Sequence, residues 1–263
     1  MIRGLAVNLR VVGALGRRSV RQTFRRPQLV APILVFPTLL LAIQTGGAGG
    51  AVDLAGFPDV NGFLDFMLAG AMIQSCLLAG NSGGIALAVD LEMGFTDRLF
   101  AAPISRFAIV AGRLAGTSVL GIVTAIWFIA IGLLFGADFE QGVAGMALMV
   151  VFVSLSAIAF GALSAAIALY TGKASVVQGL FPLVFVVLFL SNAFFPADLM
   201  LAPASQIAEY NPISFIVDGI RDQVIGGFDA VVFAETVGAI ALVGAVSISL
   251  SAVALRRRLR LGG

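Results

Sequence analysis

The 263-residue chain contains no histidine, one cysteine and one lysine. Without an imidazole there is no Ser/His dyad and no Cys/His pair, and the usual zinc and haem ligands are missing as well. Lys173 sits in an expected turn away from the candidate serines, which argues against Ser/Lys hydrolysis. The acids gather in loops and do not face one another across an apolar run, which argues against a paired-carboxylate scheme. Cys76 lies inside an apolar stretch, so it can form no intrachain disulfide and reads as a small hydrophobe. A nucleotide site is lacking too. The Gly172-Lys173 dipeptide is followed by Ala174, and Ile167 stands where a phosphate-binding loop has its first glycine. If the protein moves something uphill, another chain supplies the ATP. Only 11% of residues are charged, and a net charge of +2 is no argument for nucleic acid.

What is present is apolar. Hydrophobic residues make up 60% of the chain, and the mean hydropathy is +1.06. Soluble domains average about 45–50% apolar residues and about 25% charged ones, so this surface needs a membrane to cover it. Six apolar runs have the length of a membrane span: 28–45, 66–89, 114–135, 143–169, 176–195 and 231–255. Fifteen of the sixteen basic residues fall in four segments between these runs: Arg3 to Arg26, Arg98 to Arg113, Lys173 and Arg256 to Arg260. Short basic loops are retained on the cytoplasmic side. Both termini are therefore expected inside, and the loops at 46–65, 136–142 and 196–230 outside. Those three loops hold ten acids and one base, Arg221.

The first run has a second reading, a cleavable signal peptide, but its basic leader and apolar core are both longer than that pattern requires. Pro32 and Pro37 would kink this span, which neighbouring helices tolerate. Ahead of it, Arg17, Arg18, Arg21 and Arg25 recur at helical spacing with Val20 and Phe24 between them. That pattern fits an amphipathic helix on the inner leaflet, where each arginine contributes about 1 kcal/mol. Plain topogenic charge accounts for it equally. No ionisable side chain lies deep in an expected span, which disfavours a proton-coupled antiporter. The polar residues inside the spans are neutral. They serve as interhelical hydrogen-bond partners, worth about 0.6 kcal/mol each, or line a substrate path; Gln74, Asn81, Gln178 and Asn192 are the candidates for a path.

Two segments carry a further signal. Residues 90–113 alternate acids and apolar residues up to Leu99 before Pro103 breaks the run, so a short helix there would dock on a soluble partner or simply join two spans. In the last outer loop Asn211 suits a helix cap, Pro212 the first helical position and Gly226-Gly227 the stop. Ile213, Ile216, Ile220 and Val224 share one face, Asp218, Arg221 and Asp222 another, and Arg221 can pair with Asp218 three residues earlier. Fourteen residues are too few and too charged to cross a membrane, so a short outer-leaflet helix is expected.

The stretch E-M-G-F-T-D-R-L-F-A-A-P-I-S-R (92–106) resembles the loop of type-2 ATP-binding-cassette exporter permeases. N-P-I-S-F-x-x-D-G-I-R (211–221) resembles that family's element ahead of its last span, and R-Q-T-F-R-R-P (21–27) is similar to the start of its daunorubicin-resistance subgroup. The resemblance implies an all-α membrane protein of six transmembrane helices, forming one permease domain over 1–263. It would comprise a cytoplasmic amphipathic interface segment (1–27), a six-span core (28–255) and a cytoplasmic tail (256–263). A cytoplasmic coupling helix and a short extracytoplasmic helical element would complete it. The resemblance further implies a second permease subunit and two cytoplasmic ATPases, which would carry the ATP and magnesium, with no cofactor in this chain. Glu92, Asp97, Arg98, Pro103 and Arg106 would then contact the ATPase, and Arg17, Arg21 and Arg25 would belong to the interface helix. Asn211, Pro212, Asp218 and Arg221 would form an outer gate.

Phenylalanine outnumbers tyrosine plus tryptophan by 21 to 3. A path lined from this chain would be apolar, which favours export of a drug, antibiotic or lipid through the plasma membrane. The rivals are a polysaccharide or glycolipid exporter subunit and a non-transporting membrane scaffold. Small-residue pairs at Gly80/Gly84, Gly112/Gly116 and Gly132/Gly136 permit close helix packing, and leave the second subunit, a copy or a homologue, open.

Overall fold

The computed structural model describes residues 2–25, 27–95 and 106–261. Every long element among them is a helix: α1 (Ile2–Phe24), α2 (Pro27–Ala48), α3 (Phe63–Glu92), α4 (Arg106–Leu134), α5 (Gly142–Thr171), α6 (Ala174–Phe189), α7 (Ala204–Tyr210), α8 (Pro212–Ile225) and α9 (Ala230–Leu261). Single 3-10 turns occur at Gly49–Asp53 and Ala197–Leu199. Five of the helices, α2, α3, α4, α5 and α9, are long and apolar enough to cross a membrane.

The expected span over 176–195 departs from the other five. Its helix, α6, ends at Phe189 after 16 residues, which is about 24 Å at 1.5 Å per residue, short of the roughly 30 Å apolar core of a bilayer. The apolar run continues to Phe195, but the backbone turns because side chains capture it. Ser191 Oγ donates to the carbonyl of Leu188 at 2.6 Å, and Asn211 Nδ2 donates to the carbonyls of Val187 and Leu190 at 2.8 and 3.1 Å.

Helix α3 is the hub. It packs against α2, α4, α5, α6 and α8, and Phe66, Met67, Leu68, Met72, Ile73 and Leu77 along it are fully buried. Small residues set the close approaches. A Cβ added at Gly80 would come within 2.8 Å of the backbone nitrogen of Gly161, and one at Gly112 within 2.7 Å of the Leu15 side chain. The Gly80/Gly84 pair therefore faces α5, and Gly112/Gly116 faces α1, both within one chain. Outward-facing residues such as Val35, Leu39 and Ile43 on α2, Leu183 and Val186 on α6, and Leu242 and Val253 on α9 are exposed and apolar. Hydrocarbon is the solvent such faces require.

Both prolines of α2 lie inside one continuous helix. Pro37 has no N–H for the carbonyl of Ile33 four residues earlier. Ser75 Oγ of α3 donates to that carbonyl instead, so the defect in one helix becomes the joint to another.

Candidate functional site

Two buried charge networks stand at opposite ends of α3. The first grows from α8. Asn211 caps this helix by accepting from the N–H of Ile213 at 3.0 Å, and Pro212 fills its first turn. The apolar face of Ile213, Ile216, Ile220 and Val224 is fully sealed, and Gly219 lies so close to Thr236 of α9 that a Cβ there would collide with its side chain. This packing carries the polar face inward as well. Arg221, expected with Asp218 and Asp222 on the face away from the apolar stripe, is only 7% exposed.

The Arg221 guanidinium meets Asp218 Oδ1 at 2.9 Å and donates to the carbonyl of Asn192 at 2.9 Å. It also stacks over the ring of Phe66, with its Cζ 4.0 Å from the centroid. Asn192 in turn donates through Nδ2 to both Asp218 carboxylate oxygens at 2.8 Å. Burial pulls the Arg221 guanidinium down to about 10, against the opposing pull of Asp218, and leaves it charged at neutral pH. The network ties the start of α3, the turn after α6 and α8 into one unit. Asn192, a candidate for the substrate path, belongs to it, and so does Phe66, one phenylalanine among 21 with no motif around it.

The second network centres on Asp90, which is fully buried near the end of α3. Its Oδ2 pairs with Arg113 of α4, and with Arg18 of α1 at 3.1 Å. Arg18 in turn lies over the Phe95 ring at 3.9 Å. Sequence reasoning missed this cluster because Asp90 and Arg113 fell one residue outside the expected spans, where they read as boundary charges. The signal was there: Asp90 directly continues the apolar run that ends at Val89, and Arg113, between Gly112 and Leu114, is an isolated charge within apolar text.

The remaining candidates separate. Glu92 ends α3, and its carboxylate accepts from the N–H of Ala174 at 2.8 Å, at the first turn of α6. A carboxylate is well suited to that helix start. Asp97, Arg98 and Pro103 lie outside the described residues, and Arg106 opens α4. Arg17, Arg21 and Arg25 border a groove of about 490 Å³ along α1. Gln74 is fully buried with neither amide atom bonded to a described residue. Asn81 is half-buried, and Gln178 edges a cavity of about 290 Å³ between α1, α3, α4 and α6. The structure does not bring these path candidates into one chamber. On the side opposite the arginine-rich ends, Asp59, Asp65, Asp138 and Glu140 border a further opening of about 300 Å³. Among the described residues no group of three or more His, Cys, Asp or Glu is placed to hold a metal ion.

The family model for the ABC-2 type transporter matches residues 10–224, from α1 through both networks to the end of α8. The chain belongs to the ABC-2 type transporter family. Among relatives of this ABC-2 chain, a daunorubicin resistance ABC transporter permease protein of Streptomyces coeruleorubidus is 28% identical over 208 residues, 76% of this chain and 70% of that one. The "Probable doxorubicin resistance ABC transporter permease protein" of Mycobacterium tuberculosis is 24% identical over 153 residues, 57% of this chain. The match spans only 55% of the length of that mycobacterial relative. A relative from Porphyra purpurea, 28% identical over 216 residues, carries a name that specifies transport permease and no substrate. Family and helices together make this ABC-2 chain a multi-pass membrane protein.

Proposed function

We propose that the chain is the membrane permease subunit of an ATP-driven exporter that moves a hydrophobic or amphiphilic compound outward across the plasma membrane. A separate ATP-binding-cassette ATPase would supply the energy, with a second permease subunit, a copy or a homologue, completing the path. The observation that carries this reading is the family match over 10–224, supported by the two relatives named for doxorubicin and daunorubicin resistance. Both termini face the cytoplasm, as the arginine distribution requires. In this orientation α6 is a short sixth pass, and its turn at 190–195 together with α8 fills the outer part of the bilayer. A buried polar turn is tolerated there because protein and not lipid surrounds it.

The Asp90 network then lies at the cytoplasmic end, next to the 92–106 loop that would receive the ATPase, and the Arg221 network lies at the exit. ATP binding shifts the subunits between inward- and outward-open populations only if the partner favours one of them. The test uses inverted vesicles carrying this chain and its ATPase: daunorubicin accumulates when ATP is added, and a labelled glycan does not. Equal uptake with and without ATP would refute the exporter reading and favour a scaffold, and glycan uptake would favour the polysaccharide alternative. Glu92→Ala combined with Arg98→Ala abolishes stimulation of the ATPase while the permease still inserts. Undiminished coupled uptake in that variant would sink the docking role of the loop.

A further inference from the structure

Two openings meet at Gln22. One is the arginine groove along α1, lined by Arg17, Arg18, Arg21 and Arg25. The other is the cavity of about 290 Å³, mostly apolar in surface, where Ile85, Ala86, Val89 and Leu120 form the apolar wall and Thr117, Gln178 and Arg113 the polar one. Gln22 borders both. Arg18 is held by Asp90, whereas Arg17, Arg21 and Arg25 are exposed and have no acidic partner among the described residues. Gln22 Oε1 is enclosed and meets no donor among those residues. A cationic head, an apolar slot and an orphan acceptor at their junction describe the complement of an anionic amphiphile with a hydroxyl.

Size and charge narrow the ligand. The cavity alone stands at the lower limit of drug-sized pockets, about 300–1,000 Å³, so it suits a length of acyl chain better than a fused-ring drug. The arginines attract an anionic head and repel a cationic one, so the ligand they select differs in charge from a cationic amphiphile such as daunorubicin. We propose that the paired opening binds one anionic phospholipid of the cytoplasmic leaflet. Its phosphate lies among Arg17, Arg21 and Arg25, a headgroup hydroxyl donates to Gln22 Oε1, and the start of one acyl chain lies against Ile85, Ala86 and Leu120. The inference rests on the cytoplasmic orientation of α1 in the exporter reading. The bound lipid would clamp α1 to α3 and α4 beside the Asp90 network.

The experiment counts lipids that remain on the full-length chain, purified in mild detergent from phosphatidylglycerol or phosphatidylcholine vesicles, by native mass spectrometry. Wild type keeps one phosphatidylglycerol and no phosphatidylcholine. Arg17→Gln with Arg21→Gln weakens retention roughly thirtyfold, as two surface arginines should, while Arg17→Lys with Arg21→Lys retains most of it. Ala86→Phe fills the cavity with every charge in place and weakens retention about tenfold; Ile85→Trp replaces it should that variant fail to elute as a single species.

Full retention in a folded cavity-filled variant would reduce the effect to general attraction of anionic lipid and overturn the site. Inorganic phosphate that displaces the lipid, and binds regardless of Ala86→Phe, would make it a free-anion site and overturn it too. So would an arginine variant that keeps its lipid but loses the ATPase, since the groove would then be a protein contact. Retention is read without ATP, ATPase or transported compound, so its failure leaves the exporter reading standing, and failure of ATP-driven uptake leaves the lipid result standing.

Discussion

The Asp90 and Arg221 networks lie about 36 Å apart along α3, from Phe66 to Asp90 at 1.5 Å per residue, and they solve burial of charge in opposite ways. At one end a fully buried acid stands between two arginines that come from other helices. At the other a buried base is held by an acid on its own helix, a carbonyl of the turn after α6 and an aromatic face. Asp218 keeps 41% of its side chain exposed, whereas Asp90 keeps none. Water therefore reaches the acid of the second network and not the acid of the first, whose solvent-exposed member is Arg18, so the first is the more brittle joint. It holds α1, which carries Arg17, Arg21 and Arg25, against α3 and α4.

That contrast can be broken by substitution. Asp90→Asn leaves Arg18 and Arg113 facing each other without their acid and costs about 3–5 kcal/mol, the range for breaking a buried pair. Thermal unfolding in detergent should show the largest fall here. Asp218→Asn leaves Arg221 its carbonyl and ring partners, and solvent screens the lost carboxylate, so about 1–2 kcal/mol is expected. An equal or larger loss than for Asp90→Asn would invert the comparison. Asn211→Ala removes the cap of α8 and two donors to the end of α6, for about 1 kcal/mol. Hydrogen exchange should rise at residues 187–192 and 212–214 together; a rise in α8 alone would deny that Asn211 joins the two helix ends.

The smallest effect is one of pH. Partial burial raises the Asp222 carboxyl above 3.8; the backbone N–H of Asp229, which donates to this carboxylate, opposes the rise, and the Asp229 charge adds a smaller push upward. The folded chain thus holds this proton more tightly than the unfolded chain does. The contribution is present below 3.8 and is lost as pH rises through the folded value. Asp222→Asn should flatten the fall of the melting temperature across that window, and an unchanged slope would assign it to other groups.

Much of α8 was legible because its causes are local. Asn211 as cap, Pro212 in the first turn, the stop at Ile225, the buried stripe and the Asp218–Arg221 pair all follow from spacing within fourteen residues, and all are present. The burial of Arg221 was not legible, since Phe66 and Asn192 reach it from far along the chain. The end of α6 at Phe189 was hidden for the same reason: Leu190 to Phe195 continues an apolar run, and the residue that turns it is Asn211. Of the ATPase-contact candidates, Glu92 could be followed to the start of α6, while Asp97, Arg98 and Pro103 lie beyond the described residues.

By itself the sequence determined that this chain needs a membrane, where its long apolar helices run and which ends carry positive charge, because hydropathy and backbone satisfaction act over single segments. Only the tertiary structure decided which charges are buried and with whom. Asp90 meets Arg113 and Arg18, and Phe66 meets Arg221, only after α1 and α4 pack beside the end of α3 and α8 packs beside its start. The energy of a buried charge depends on neighbours that sequence distance does not reveal.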